Sequence, residues 1–199
     1  MEAGTMDLRR EILSRARVEG SLVMVDDFLN HRVEPLIMRA VGHGLAEAFR
    51  DRSPQLILTA EASGIPPAAA TSDVLEIPYV YAKKYLGTGN RYSFFREVAS
   101  PTKGTEYRVE VARRLLEPGQ RVLVIDDFLS GGRTAQALGE IVEEAGCDLV
   151  GMGFIIEKTF MAGRGLLDAH GWNVRSLVRI ASIAEGAVVL IDEPEPTTA

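Results

Sequence analysis

Cysteine, histidine and tryptophan are scarce in this 199-residue chain, at 1, 3 and 1. The lone Cys147 excludes an intramolecular disulfide and suits a reducing, cytoplasmic setting. Within EEAGCDLVG it reads as a small buried residue rather than a reactive thiol. His31, His43 and His170 stand at no metal-ligand spacing, and no HExxH, Walker A or Ser-His-Asp order is present. The sequence therefore supplies no dedicated metal-ligand set. Positive charge is also short: 22 Lys and Arg against 28 Asp and Glu leave a net −6. That balance argues against nucleic acid or an anionic membrane as a partner, while leaving room for a local basic pocket. No apolar run reaches membrane-spanning length, and the opening MEAGTMDLRREILSR is not a secretory signal. Repeats and low-complexity stretches are absent. What is present, 46% apolar and 25% charged residues, describes an ordinary globular chain. It fits one domain over 1–199, with room for a small subdomain and a core that needs no staples.

The richest stretch is VLVIDDFLSGGRTAQ, residues 122–136. Its apolar start predicts a buried strand over 122–127, with Asp126 and Asp127 at the carboxyl end. A short loop of Ser130, Gly131, Gly132, Arg133 and Thr134 then opens a helix over 132–145. Elsewhere, spacing predicts helices over 7–17 and from Pro35 to about Arg50, and an Ala-rich helix after the turn 61–66. Strands are predicted over 55–60, 79–82, 107–113, 149–157, 177–180 and 188–191, and a helix end over 165–170. Residues 85–106 carry Gly87, Gly89, Ser100, Pro101, Gly104 and Thr105, and read as a long hairpin or mobile loop of functional kind. The acidic, Pro-rich tail 192–199 reads as frayed. Alternating strands and helices predict an α/β fold with a doubly wound, mainly parallel sheet. Ligands of such sheets lie beyond the carboxyl ends of the strands. The segments 61–65, 83–84 and 126–134 are expected to meet there, with Glu157-Lys158 at the same edge.

Adjacent carboxylates repel, so Asp126 and Asp127 need partners: a sugar diol, a hydrated cation, or plain solvent as helix-capping acids. The loop after them offers successive N–H donors, two glycines for close approach, the hydroxyls of Ser130 and Thr134, and the charge of Arg133. Such a loop holds a phosphate or simply turns the chain into a helix. A ligand with vicinal hydroxyls and a phosphate, such as ribose 5-phosphate, satisfies both halves. Lys83 and Lys84 end a strand, either as surface charge or beside an anion. Lys158 ends another, as a surface partner of Glu157 or as a donor. Phe128 stacks on a ligand or joins the core.

IDDFLSGGRTA resembles the phosphoribosyl-pyrophosphate motif of the type I phosphoribosyltransferases. VDDFLNH (25–31), ASGIPPA (62–68), IDDFLSGG (125–132), IIEKTF (155–160) and Leu177-Val178-Arg179-Ile180 resemble one branch, the bacterial xanthine phosphoribosyltransferases, in order and spacing over about residues 8–191. The resemblance implies a core over about 35–160 and a small hood from about 7–34 and 161–191. It also implies a homodimer and two substrates, 5-phosphoribosyl 1-pyrophosphate and a 6-oxopurine, with Mg2+ bound mainly through the first. Asp126 and Asp127 would then hold the ribose hydroxyls, and Ser130, Gly131, Gly132, Arg133 and Thr134 the 5-phosphate. Ala62, Ser63 and Gly64 would approach the pyrophosphate with Lys83 and Lys84. Asp126, Asp127 and Lys84 would be the catalytic groups. Val23, Asn30, Phe128 and Lys158 would surround the purine, Lys158 donating to its exocyclic oxygen. Val23 stands where a leucine is expected, which limits it to a backbone contact.

The implied reaction displaces pyrophosphate from the anomeric carbon by a purine nitrogen through an oxocarbenium-like transition state, with 85–106 as the lid that excludes water. In hypoxanthine–guanine relatives a carboxylate stands three residues past the second acid, where this chain has Ser130. A serine is no base near neutral pH. The departure favours xanthine, which ionises near neutrality and needs less help. Rival expectations are a guanine/hypoxanthine or adenine transferase, and a purine-responsive regulator that binds the donor without catalysis.

Overall fold

The structure is a computed structural model and describes residues 7–85, 92–99 and 106–191. The calls for a frayed tail over 192–199 and for a loop at 86–91 and 100–105 fall outside those residues. The chain opens with helix α1 (Leu8–Arg15), capped by the Asp7 carboxylate on the N–H groups of Arg9 and Arg10. A two-stranded ribbon follows, β1 (Arg17–Glu19) against β2 (Leu22–Met24), and then a single π-helical turn over Asp26–Asn30. Of these, β1 was not anticipated, because three residues are too short for a period-2 pattern to register.

An eight-stranded sheet forms the centre, in the order β10-β9-β8-β7-β3-β4-β6-β5. Its strands are β3 (Leu56–Ala60), β4 (Tyr79–Tyr85), β5 (Ser93–Ala99), β6 (Glu106–Ala112), β7 (Arg121–Leu129), β8 (Asp148–Lys158), β9 (Val174–Ala184) and β10 (Ala187–Leu190). The neighbours among β9, β8, β7, β3 and β4 are parallel, and antiparallel strands extend both ends. The helices are α2 (Pro35–Phe49), α3 (Ile65–Leu75), α4 (Arg133–Glu144) and α5 (Gly163–Asp168). Two cores result. On one face Val122, Val124, Met152 and Phe154 pack with Leu138 and Ile141 of α4. On the other, Ile57, Leu123 and Ile125 pack with Ile37, Val41 and Leu45 of α2 and with Ile12 of α1. Side chains of β3 and β7 bury both faces, as near-continuous apolar runs in a covered parallel sheet should.

The doubly wound reading therefore holds, and the topology fixes where a ligand fits. The chain leaves β3 toward β4 on one side and leaves β7 toward β8 and β9 on the other. Adjacent β3 and β7 are thus the switch point, and a crevice opens beyond their carboxyl ends. One expectation with two alternatives is narrowed. Residues 93–99 are a strand paired antiparallel along its length with β6, which fits the hairpin reading of this stretch and not the mobile loop. Arg96 fastens that strand to α4 through Glu140 at 2.8 Å and Glu144 at 2.6 Å. Cross-strand aromatic and charged side chains can stabilise a strand whose flanks are rich in glycine, which a composition-led reading of the whole stretch passes over.

Candidate active site

Strand β7 runs on to Leu129, past the expected end at 127, so Asp126 and Asp127 lie inside the strand and not at its last residues. Successive residues of a strand face opposite ways, yet both carboxylates are used at the crevice. Asp127 is buried, and its two oxygens are both taken: Oδ1 accepts from the Ser63 hydroxyl at 2.9 Å and Oδ2 from the Asn30 amide at 2.7 Å. Its own N–H donates to Asp126 Oδ1 at 2.9 Å. Ser63 comes from the turn after β3 and Asn30 from the π-helical turn. Two segments remote in sequence thus close on one carboxylate of β7. Burial, and then the neighbouring Asp127 charge, push the Asp126 carboxyl well above the usual range, while Lys84 opposes the shift.

The turn Glu61–Gly64 crosses the mouth of the crevice and contains a cis Glu61–Ala62 peptide. Gly64 is sterically required: a Cβ there would strike Thr59 Oγ1 and come within 2.8 Å of Asp126 Oδ1. The Thr59 hydroxyl itself is fully buried with no hydrogen-bond partner among the described residues, a vacancy that buried polar groups seldom keep.

After β7, the loop is shorter than anticipated. It spans Ser130 to Gly132, and Arg133 and Thr134 already belong to the first turn of α4. Gly132 sits at φ +74°, where only glycine is comfortable, and a Cβ would meet Gly163 Cα at 2.9 Å. Gly163 N donates to the Ser130 carbonyl at 2.8 Å, so the start of α5 braces the loop from behind. Gly131 faces open space on its Cβ side. No side chain caps α4, so its first N–H groups are left for a ligand, at the positive end of a 12-residue helix. Thr134 Oγ1 is engaged with Tyr107 Oη at 2.8 Å.

Lys83 and Lys84 come just before Tyr85, the last residue of β4, inside the strand, and pair with Glu110 and Val109 of β6. Both are exposed. The Lys84 N–H donates to Glu61 Oε1 at 2.7 Å, which joins β4 to the crevice turn, and its ammonium lies 5.4 Å from the Tyr107 ring. Lys83, on the opposite face of the strand, is not brought to the acid pair by any described contact. Lys158 ends β8 and is buried, which lowers its pKa. Its ammonium donates to the Ser21 carbonyl at 3.1 Å and stands 5.7 Å from the Phe128 ring. Phe128 is half-buried against the core, with its ring on the Lys158 side. The Val23 side chain is buried in the core.

Three groups at this site carried no usable signal in sequence. Tyr107 touches both Lys84 and Thr134, yet read only as a strand residue. Glu157 is fully buried and paired with Arg164 and Arg179, so it is not the surface partner of Lys158. Arg164 also donates to the Val174 carbonyl at 2.7 Å. Burial would raise Glu157, but the hydrogen bonds and charge of Arg164, with Ser176 and Arg179, bring it below its ordinary value. Gly163 is one more glycine among 19 until the tertiary fold sets it on the loop.

Residues 25–193 match the phosphoribosyl transferase domain. The chain belongs to the phosphoribosyltransferase family. It is 41% identical to a xanthine phosphoribosyltransferase of Pseudomonas aeruginosa over 86% of this chain and 90% of that one. To the xanthine phosphoribosyltransferase of Laribacter hongkongensis it is 42% identical, over 91% and 97%. Among solved structures it resembles adenine phosphoribosyltransferases: that of Giardia lamblia, complexed with 9-deazaadenine, at a TM-score of 0.75, 19% identity and 89% and 100% coverage. That of Rhodothermus marinus gives 0.71 at 24% identity, over 87% and 98%. At such identities the last two speak for the fold. No helix among the described residues is long and apolar enough to cross a membrane.

Proposed function

We propose that this phosphoribosyltransferase makes a purine ribonucleotide, XMP from xanthine, and pyrophosphate from 5-phosphoribosyl 1-pyrophosphate, as a cytoplasmic, homodimeric enzyme of purine salvage with no nucleic-acid or membrane partner. The carrying observation is the convergence of Ser63, Asn30 and Asp127 in the β3/β7 crevice, beside the uncapped start of α4. The identity to proteins named for xanthine supports the choice of base.

In this reading the ribose hydroxyls donate to Asp126 and Asp127. The 5-phosphate sits on the N–H groups of Ser130 to Thr134, with the Arg133 charge and the Ser130 hydroxyl; Thr134 is oriented by Tyr107. The turn Ala62–Gly64 and Lys84 receive the pyrophosphate, and Lys83, on the other face of β4, takes no part in it. As the bond from the anomeric carbon to pyrophosphate breaks and that to the purine nitrogen forms, negative charge grows on the leaving group, where Lys84 and backbone N–H groups stabilise it. The acid pair holds the ribose as the ring becomes cationic. Among the described residues no group of three or more His, Cys, Asp or Glu side chains is placed to hold a metal. Two carboxylates at the crevice suit Mg2+, which keeps water and substrate oxygens around it; when bound through the donor it would neutralise pyrophosphate charge.

The purine lies between Phe128 and the N-terminal segment, with the Val23 backbone and Asn30 along its edge and Lys158 on its exocyclic oxygen. An ammonium donates and never accepts, so it reads a 6-oxo group and has nothing to offer the amino group of adenine. A purine panel with 5-phosphoribosyl 1-pyrophosphate and magnesium tests the reading. XMP should form fastest, with a rate that follows xanthine ionisation. Faster turnover of guanine or adenine, or flat pH dependence, removes xanthine. Tight donor binding with no nucleotide from any purine would point to a regulator. Lys158→Ala should raise KM for xanthine about 10-fold or more, the usual size of a lost charged hydrogen bond, with a smaller effect on the KM of the donor.

A further inference from the structure

The two polar side chains assigned to the purine each already donate to a protein acceptor. Lys158 donates to the Ser21 carbonyl and Asn30 to Asp127 Oδ2, at 3.1 and 2.7 Å. Both bonds clasp the same N-terminal stretch to the sheet. The second is unusual in its partner, because Asp127 is also the carboxylate assigned to the ribose. A carboxylate accepts only, so the Asn30 amide must turn its NH2 toward Asp127, which leaves its carbonyl and one N–H for anything else. The turn that carries Asn30 is itself held firmly. Phe28 is buried under the Arg15 guanidinium, 4.5 Å from the ring centroid, and Arg15 forms a two-pronged pair with Glu34 at 2.8 and 2.9 Å. Asn30, half-buried at the end of that turn, can thus exchange its partner by side-chain rotation while its backbone stays in place.

We infer that Asn30 couples the sugar half of the site to the base half, by passing its amide from Asp127 to the purine when the ribose hydroxyls occupy that carboxylate. The inference rests on the proposed function and deepens it. Without sugar, a base that needs the N–H held by Asp127 must draw it from a charge-assisted bond, which is the stronger kind. With sugar bound, hydroxyls donate to Asp127 in its place, and the amide is free when the base arrives. The coupling is positive, and by linkage each ligand tightens the other by the same factor. Ser63, on the other oxygen of Asp127, has no purine to serve and should not transmit it.

Ribose 5-phosphate and xanthine test this by calorimetry, because the sugar phosphate carries the diol and phosphate but no leaving group. In the wild-type protein, saturating ribose 5-phosphate should lower the Kd of xanthine about 5-fold or more, and xanthine should lower the Kd of ribose 5-phosphate equally. In Asn30→Ala both ligands should still bind, with the factor reduced to near 1; Asn30→Leu serves if that variant does not fold. Ser63→Ala should keep the factor. Independent binding in the wild-type protein, an unchanged factor without Asn30, or its loss in Ser63→Ala overturns the coupling while the functional reading stands. If wild type binds neither ligand, the functional reading fails and the coupling with it.

Discussion

Asp126 shows how a single residue can be placed against its own preference. Its carboxyl is raised by burial and by Asp127, so the folded state retains a proton that the unfolded chain would release. Stability contributed at this position therefore declines as pH rises from the ordinary carboxylate range through the raised value, and the deficit is absent in acid, where both states are protonated. Asp126→Asn cannot titrate and should stabilise the protein at neutral pH by about 1 kcal/mol, the common size of a favourable substitution at a functional site. Thermal melts should show the difference shrinking toward acid pH. The same variant should lose about 100-fold or more in kcat/KM, as removal of an electrostatic partner at a reacting centre does. Cys147 is the contrasting case. It is buried, its thiol donates to the Glu117 carbonyl at 3.1 Å and burial raises its pKa, so the expectation of an inert packing residue agrees with its surroundings.

At the level of elements, the base side of the site depends on the join between β8, α5 and β9. Lys158 projects from the last position of β8, and the preceding Glu157 anchors that strand end through Arg164 of α5 and Arg179 of β9. Arg164→Leu should leave Glu157 buried with the neutral Ser176 hydroxyl and, as its only cation, the more distant Arg179 at 3.8 Å. The expected loss is about 3 kcal/mol at neutral pH, as for other buried pairs cut on one side. The sign with pH follows from the lowered Glu157 value: its contribution is present above the ordinary glutamate range and is lost as pH falls through the folded value. Denaturant melts should thus show wild type and variant converging in acid. A variant as stable as wild type at pH 7 would mean that Arg179 alone neutralises Glu157. The loop proposed to hold the phosphate is braced by the same helix, since Gly163 N donates to the Ser130 carbonyl. One short helix therefore supports both halves of the site.

Across the whole molecule, the crevice is assembled from the N-terminal turn, the β3 turn, β7 with α4, and β8. A ligand that bridges these segments should stabilise the fold as a unit. Ribose 5-phosphate at about 100 times its Kd should add about 2.7 kcal/mol and raise Tm by roughly 5–10 °C for a chain of this size. A scan across ligand concentration checks this, and no shift at saturation would separate the loop and acid pair from sugar-phosphate binding.

Much of this arrangement was legible from residue order. The apolar run of β7 with two acids and two glycines after it needs only local rules, namely strand burial, helix start and the freedom of glycine, so the acid pair and the glycine loop could be placed at a strand end before a helix. The order of strands and helices likewise implied a parallel sheet and the edge where its loops meet. Other features depend on contacts between distant residues, 97 positions apart for Asn30 and Asp127 and 64 for Ser63 and Asp127. No periodicity records such a pairing. The strand in 93–99 was obscured by the glycines around it and is fixed by β6 and by Arg96 on α4. Glu157 looked like a surface acid because the arginines that neutralise it follow in later elements. Sequence alone determined which groups could meet a sugar phosphate, because their chemistry is carried within one strand, loop and helix start. Tertiary structure decided which groups share a carboxylate, because only folding brings Asn30, Ser63 and Asp127 within hydrogen-bonding distance.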